Sequence, residues 1–281
     1  MGLKIWTRLL LKDVVALRTS WLIFLAVIVL GGGGLLIGLA SGAAAELVGI
    51  ALVFVTGVIA LHFVLTPIYT FRLLRREWRT TAPLWLQVPM RGWLMLLGKL
   101  VVSLLSVSTT WIAAALLAYG ELSLAVARPT LFRSVAANPH HLSAAVQAAI
   151  LSAVFPRLAA FGLVAVLAVG TYLSVWVMLV MLAIKATRHR LGRTSILLAF
   201  VLVLVPTWGL SALRGVAGFR AFMAWGPLRL PLGLRASPSY WPLHVPHSIA
   251  VAAIGSTIFY AAVAAAVLLA SGWLLDREVE I

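Results

Sequence analysis

Six long apolar runs, set apart by charged or turn-rich stretches, constrain this chain more than any other feature; they fall near residues 20–40, 47–70, 94–119, 158–184, 195–213 and 249–273. A helix rises about 1.5 Å per residue, so about twenty apolar residues cross the roughly 30 Å of bilayer hydrocarbon. Backbone polar groups find no water there, and each run must satisfy its own amides as a helix. The expectation is an all-α polytopic bundle of about six transmembrane helices, forming one membrane domain over residues 1–281. Composition agrees. Hydrophobic residues make up 63% of the chain, charged residues 10%, and the mean hydropathy is +1.09, whereas soluble domains carry about 25% charge.

The formal charge of +15 raises the question of nucleic acid. Most of the Lys and Arg residues flank apolar runs instead of forming a continuous basic stripe, which points to lipid headgroups of the bilayer as counterions and to no nucleic-acid partner. The absence of Cys excludes disulfides, thiolate catalysis and Cys-bound metals. The N-terminus has the parts of a signal peptide, with Lys4, Arg8 and Lys12 before an apolar run and small residues from Ala40 to Ala44. That run is longer than a signal-peptide core of about 7 to 15 residues, and further spans follow at once, so an uncleaved first span fits better.

Charge also orients the spans. With the N-terminus inside, fifteen of the 22 Lys and Arg residues face the cytosol: four before span one, six from Arg72 to Lys99, four from Lys185 to Arg193, and Arg277. The other seven are spread over two longer external loops, 120–157 and 212–248. The excess close to span ends predicts cytosolic N- and C-termini. The second external loop holds Pro227, Pro231, Pro238, Pro242 and Pro246, so turns or extended segments are expected there. In the first, Leu142 to Phe155 reads as a short helix lying in the headgroup region ahead of Pro156. Gly31 to Gly34 sit inside span one, where glycine permits close helix approach; the strand and Lys of a phosphate loop are missing.

The segment Arg75-Arg76-Glu77-Trp78-Arg79-Thr80-Thr81-Ala82-Pro83-Leu84-Trp85-Leu86-Gln87-Val88-Pro89, between spans two and three, is the most informative. Thr80 or Thr81 can cap a helix start, Pro83 is allowed only in a first turn, and Pro89 stops continuation. A short, rigid, aromatic and charged helix on the cytosolic side is expected. The plainer reading is an interfacial anchor, since Trp and Arg commonly fix span ends at headgroups. An anchor needs neither a specified start nor a specified stop, and a docking element needs both.

Glu77, Thr81, Trp85-Leu86-x-Val88-Pro89 and Leu96-Leu97-Gly98-Lys99 follow a pattern E, T, WL-x-LP, LL-x-K. The pattern resembles that of six-span permease subunits of the ATP-binding-cassette (ABC) superfamily, in the type-two exporter class of Gram-positive bacteria. The closing run Ser271-Gly272-Trp273-Leu274-Leu275-Asp276-Arg277-Glu278-Val279-Glu280-Ile281 is similar to that family's C-terminal signature, and Gly255 and Phe259-Tyr260 fit its last span. Arg91 stands where relatives tend to have a small polar residue, and Glu278 where they tend to have Lys. The resemblance implies a single permease domain of the cell membrane that exports a substrate. The power would come from a separate cytosolic ABC ATPase, and a homodimer or a second permease subunit would complete the pathway. Glu77, Trp78, Thr81, Trp85, Leu86 and Pro89 would form the ATPase-coupling helix. ATP would be bound by the partner; no Gly-x4-Gly-Lys-(Ser/Thr) run occurs in this chain, which is expected to hold no cofactor or metal and to be no enzyme. The alternative is a non-transporting membrane protein that anchors or recruits a cytosolic partner.

Among ionisable residues within spans, His62 stands out. With Thr66 and Tyr69 it makes an i, i+4, i+7 stripe beside Pro67, which reads as a candidate substrate path or gate. A neutral histidine bonded inside the bundle is the plainer account. His140, His141, His244 and His247 lack the carboxylate or Cys partners of a typical metal site. All seven acidic residues are expected at or beyond the span ends, which disfavours proton relay. No hydrolase or metalloprotease motif is present.

Overall fold

The structure, a computed structural model, describes residues 2–41, 46–80, 90–127, 144–231 and 248–279. Seven α-helices lie in these residues: α1 (Gly2–Ala40), α2 (Glu46–Thr80), α3 (Gly92–Ala127), α4 (Ala144–Leu191), α5 (Ser195–Leu213), α6 (Ala217–Ala224) and α7 (Ile254–Val279). All but the short α6 are long and apolar enough to cross a membrane. The chain is an all-α, multi-pass integral membrane protein.

Helices outrun the apolar stretches that signal them. α1, at 39 residues, measures about 58 Å, so its first turns carry Arg8, Lys12 and Asp13 beyond the apolar run. Span four was expected to follow a separate helix at Leu142–Phe155. Instead α4 runs unbroken for 48 residues through Pro156; a proline costs one backbone hydrogen bond, and membrane helices tolerate it where neighbours re-satisfy the freed carbonyl. Span six begins at Ile254, not near 249, because Ser248–Ala253 form a strand (β2) that pairs antiparallel with Pro227–Pro231 (β1). The proline-rich loop is thus extended at both ends, as expected, and it also contains the small helix α6. Gly226, at φ +65°, makes the turn into β1 in a backbone region that side chains disfavour.

α3 and α4 sit at the centre of the bundle: α3 packs on α1, α2, α4 and α7, and α4 on α2, α3, α5 and α7. Leu74, Leu96, Leu100, Met178, Leu182 and Leu275 fill the core where α2, α3, α4 and α7 meet. Leu17, Tyr69, Val102, Val107, Trp111 and Val166 fill a second core between α1, α2, α3 and α4. Gly31 faces Phe54 of α2 and Gly32 faces Leu117 of α3, so part of the glycine run does permit close approach. α5 touches α4 on one side, and no residue of its apolar window is buried. A helix apolar all round and exposed in this way suits lipid.

Candidate functional site

The helix ends that carry Lys12, Arg72–Arg79, Lys99 and Lys185 form the basic end of the bundle. There α1, α2 and α3 bring four charges together. Lys99 Nζ lies 2.5 Å from Glu77 Oε2 and 3.3 Å from Asp13 Oδ2, and Lys12 Nζ donates to Glu77 Oε1. The side chains of Lys99, Asp13 and Glu77 are 2%, 5% and 5% exposed. Two cations against two anions leave the cluster neutral, the condition for keeping charges out of water. Asp13 and Glu77 therefore lie within the long apolar helices, and so does Glu121. All three stand outside the apolar runs 20–40, 47–70 and 94–119, in turns by which the helices outrun those runs.

Both flanks of residues 81–89 are fastened at this end. On the near side, Glu77 is held by the cluster, and the Trp78 ring packs into the core with Lys185 Nζ of α4 lying 5.2 Å from its centroid. On the far side, the Gly92 N–H at the start of α3 donates to Asp276 Oδ1 of α7 at 2.7 Å. Free amides of a helix start favour such a carboxylate. The contact requires glycine on both helices: a Cβ on Gly272 would stand 2.6 Å from Trp93 N, and one on Gly92 2.6 Å from the Gly272 carbonyl oxygen.

Of the sequence-predicted coupling residues, Glu77 and Trp78 are buried or half-buried and face inward, while Thr81, Trp85, Leu86 and Pro89 lie outside the described residues, as does the proposed short helix. Thr80 ends α2. Arg72, Arg75, Arg76 and Arg79 occupy the opposite face of α2 and line a groove of about 760 Å³ with Phe71 and Val177. Arg72 donates to Ser20 Oγ at 2.5 Å and Arg76 to the Ala16 carbonyl at 3.2 Å, and the exposed guanidinium surface suits phosphate headgroups.

Deeper in the bundle, His62, Thr66 and Tyr69 are buried. His62 Nδ1 lies 2.6 Å from the Val58 carbonyl oxygen; a carbonyl only accepts, so Nδ1 carries the proton. Phe24 and Trp111 pack edge-on to the ring at 5.4 and 5.2 Å between centroids. Thr66 touches α4 closely enough that a Cβ on Gly170 would collide with it. The stripe is therefore brought together, with its side chains in the packed interior, while Pro67 lines the arginine groove. The loop histidines His140, His141, His244 and His247 lie outside the described residues.

Sequence reasoning singled out Glu77 and Lys99 separately but did not pair them, and it missed Asp13, Asp276 and Glu121 as buried or capping residues. The available signal was their position one to three turns inside a helix whose apolar run they border. No protein-family model matches the chain, and comparison with curated proteins and with solved structures finds no match.

Proposed function

We propose that the chain is the permease subunit of an ABC exporter in the cytoplasmic membrane, with both termini cytosolic. In this reading it moves substrate using ATP hydrolysed by a separate cytosolic ATPase and works as a homodimer or beside a second permease. The chain itself catalyses nothing and holds no cofactor.

The observation that carries this reading is the fastening of residues 81–89 at both flanks. A partner can shift a bundle only if what it grips is joined to more than one helix, and if it grips the two states differently. Glu77 joins the segment to α1 and α3 through Lys12 and Lys99, and Asp276 joins it to α7. The same contacts give a physical reason for both runs on which the family resemblance rests. Glu77 and Lys99 open and close the first pattern and form an ion pair; Gly272 and Asp276 belong to the second and pack against the start of α3. A headgroup anchor needs no such link.

The test is co-purification with a co-encoded phosphate-loop ATPase. Trp85→Ala is expected to reduce complex formation and ATP turnover while leaving thermal stability unchanged, because the substitution touches the segment and not its fastenings. Complex and turnover intact in this variant would overturn the coupling role and leave the anchor reading. Orientation has its own test in this Cys-free chain. Thr194→Cys and Gly218→Cys, both at exposed positions, are expected to react with an impermeant maleimide from the cytosolic and external sides respectively.

A further inference from the structure

Away from the basic end, α3 carries Glu121 into the wall of a cavity of about 310 Å³ enclosed by α1, α2, α3 and α4. The walls are otherwise apolar, with Phe54, Trp111 and Phe155 as their largest side chains. Glu121 is 8% exposed, and no ion pair or hydrogen bond reaches it from any other described residue. A carboxylate held in an apolar membrane site is costly unless a cation meets it. The other polar groups buried in this bundle are mostly hydroxyls and a histidine, which need no counter-charge; Glu121 needs one whenever it is ionised. Trp111 already spends its indole N–H on the Ala159 carbonyl, at 3.0 Å, which leaves its ring as an apolar surface. Aromatic faces attract organic cations as well as apolar bodies. The volume lies at the small end of ligand pockets.

We propose that this cavity binds a lipophilic organic monocation, an ammonium or phosphonium with apolar substituents, whose charge pairs with Glu121 and whose body fills the space between Phe54, Trp111 and Phe155. The site lies in the half of the bundle away from the fastened segment: Glu121 is 22 positions along α3 from Lys99, about 33 Å. That such a cation is the exported cargo rests on the exporter reading. That it binds does not.

The test therefore uses the protein alone, without ATPase, in lipid nanodiscs. Radiolabelled tetraphenylphosphonium is the probe, and neutral triphenylphosphine oxide is the competitor. Wild type is expected to bind the cation saturably and to release it to excess unlabelled cation but not to the phosphine oxide. Glu121→Gln keeps the shape and removes the charge, and it is expected to weaken binding by about thirtyfold or more, the low end of the loss for a buried charge pair. Ala118→Phe, which fills the same cavity, is expected to lose binding too; if it fails to fold, the Gln variant still decides. Absence of saturable binding in wild type, binding by Glu121→Gln within twofold of wild type, or equal competition by the phosphine oxide would each overturn the proposal. None of these outcomes bears on whether an ATPase grips residues 81–89.

Discussion

Lys99 and Glu121 are two buried ionisable residues on one helix, and the bundle treats them in opposite ways. Lys99 is met by carboxylates from two other helices, so its charge is neutralised inside the protein and fixes how α1, α2 and α3 sit together. Glu121 faces an apolar cavity, with no cation beside it among the described residues. A satisfied charge specifies a structure, because removing either partner strands the other. An unsatisfied one specifies an occupant. The contrast separates a structural end of the molecule from an end built to receive something.

The largest effect is expected at Lys99. Lys99→Met would leave Asp13 and Glu77 buried without the cation they share, while Lys12 reaches Glu77 from a partly exposed position. Breaking a buried pair typically costs about 3–5 kcal/mol, to be read as lost thermal or denaturant stability in detergent. The double variant Lys99→Met with Glu77→Gln is expected to recover a measurable part, since it removes one stranded charge. A cost under about 1 kcal/mol for the single variant would mean that the cluster does not carry the charge balance assigned to it.

Next comes the second fastening. In Gly272→Ala the added methyl meets Trp93 backbone atoms at 2.6 and 2.8 Å, and backbone cannot rotate aside, so α3 and α7 must separate and the Asp276 contact to Gly92 must lengthen. Overpacking of this kind costs about 1–3 kcal/mol. Gly33→Ala, whose Cβ would meet nothing within 4 Å, is the control and is expected to be neutral or mildly stabilising, because glycine lowers helix propensity by about 1 kcal/mol. Equal losses for both would show that glycine at 272 matters for reasons other than close approach.

How much of this was legible in the sequence follows from what each feature depends on. The number of crossing helices and their approximate places needed only hydropathy, which acts along the chain. The starts of α1 and α7 and the continuity of α4 did not follow. Lys12 and Asp13 look like the end of a span until Lys99 and Glu77, 64 to 87 positions away, are placed beside them. Pro156 looks like a stop, yet α4 runs through it. The polar stripe His62, Thr66, Tyr69 was visible as a helical face, but its burial depends on Phe24 and Trp111, which come from other helices. Glu121 borders an apolar run, and only the meeting of four helices makes its surroundings a cavity.

The smallest stability effects should come from Glu121 and His62, and they divide the two halves of the comparison most finely. Glu121→Gln removes a charge that no described residue offsets, so the empty protein is expected to keep its stability or gain about 1 kcal/mol, opposite in sign to Lys99→Met. A loss as large as that of Lys99→Met would mean that a cation inside the protein already serves Glu121, and the cavity would then need no charged occupant. His62→Leu forfeits one hydrogen bond within α2, worth about 0.6 kcal/mol in membrane proteins, and keeps an apolar side chain between the two rings. If transport by the assembled system also survives, His62 belongs with the packing that surrounds it. If transport falls tenfold while stability moves by only those few tenths, then the proton that Nδ1 gives to Val58 is part of a gate, and α2 beside Pro67 is the element that moves.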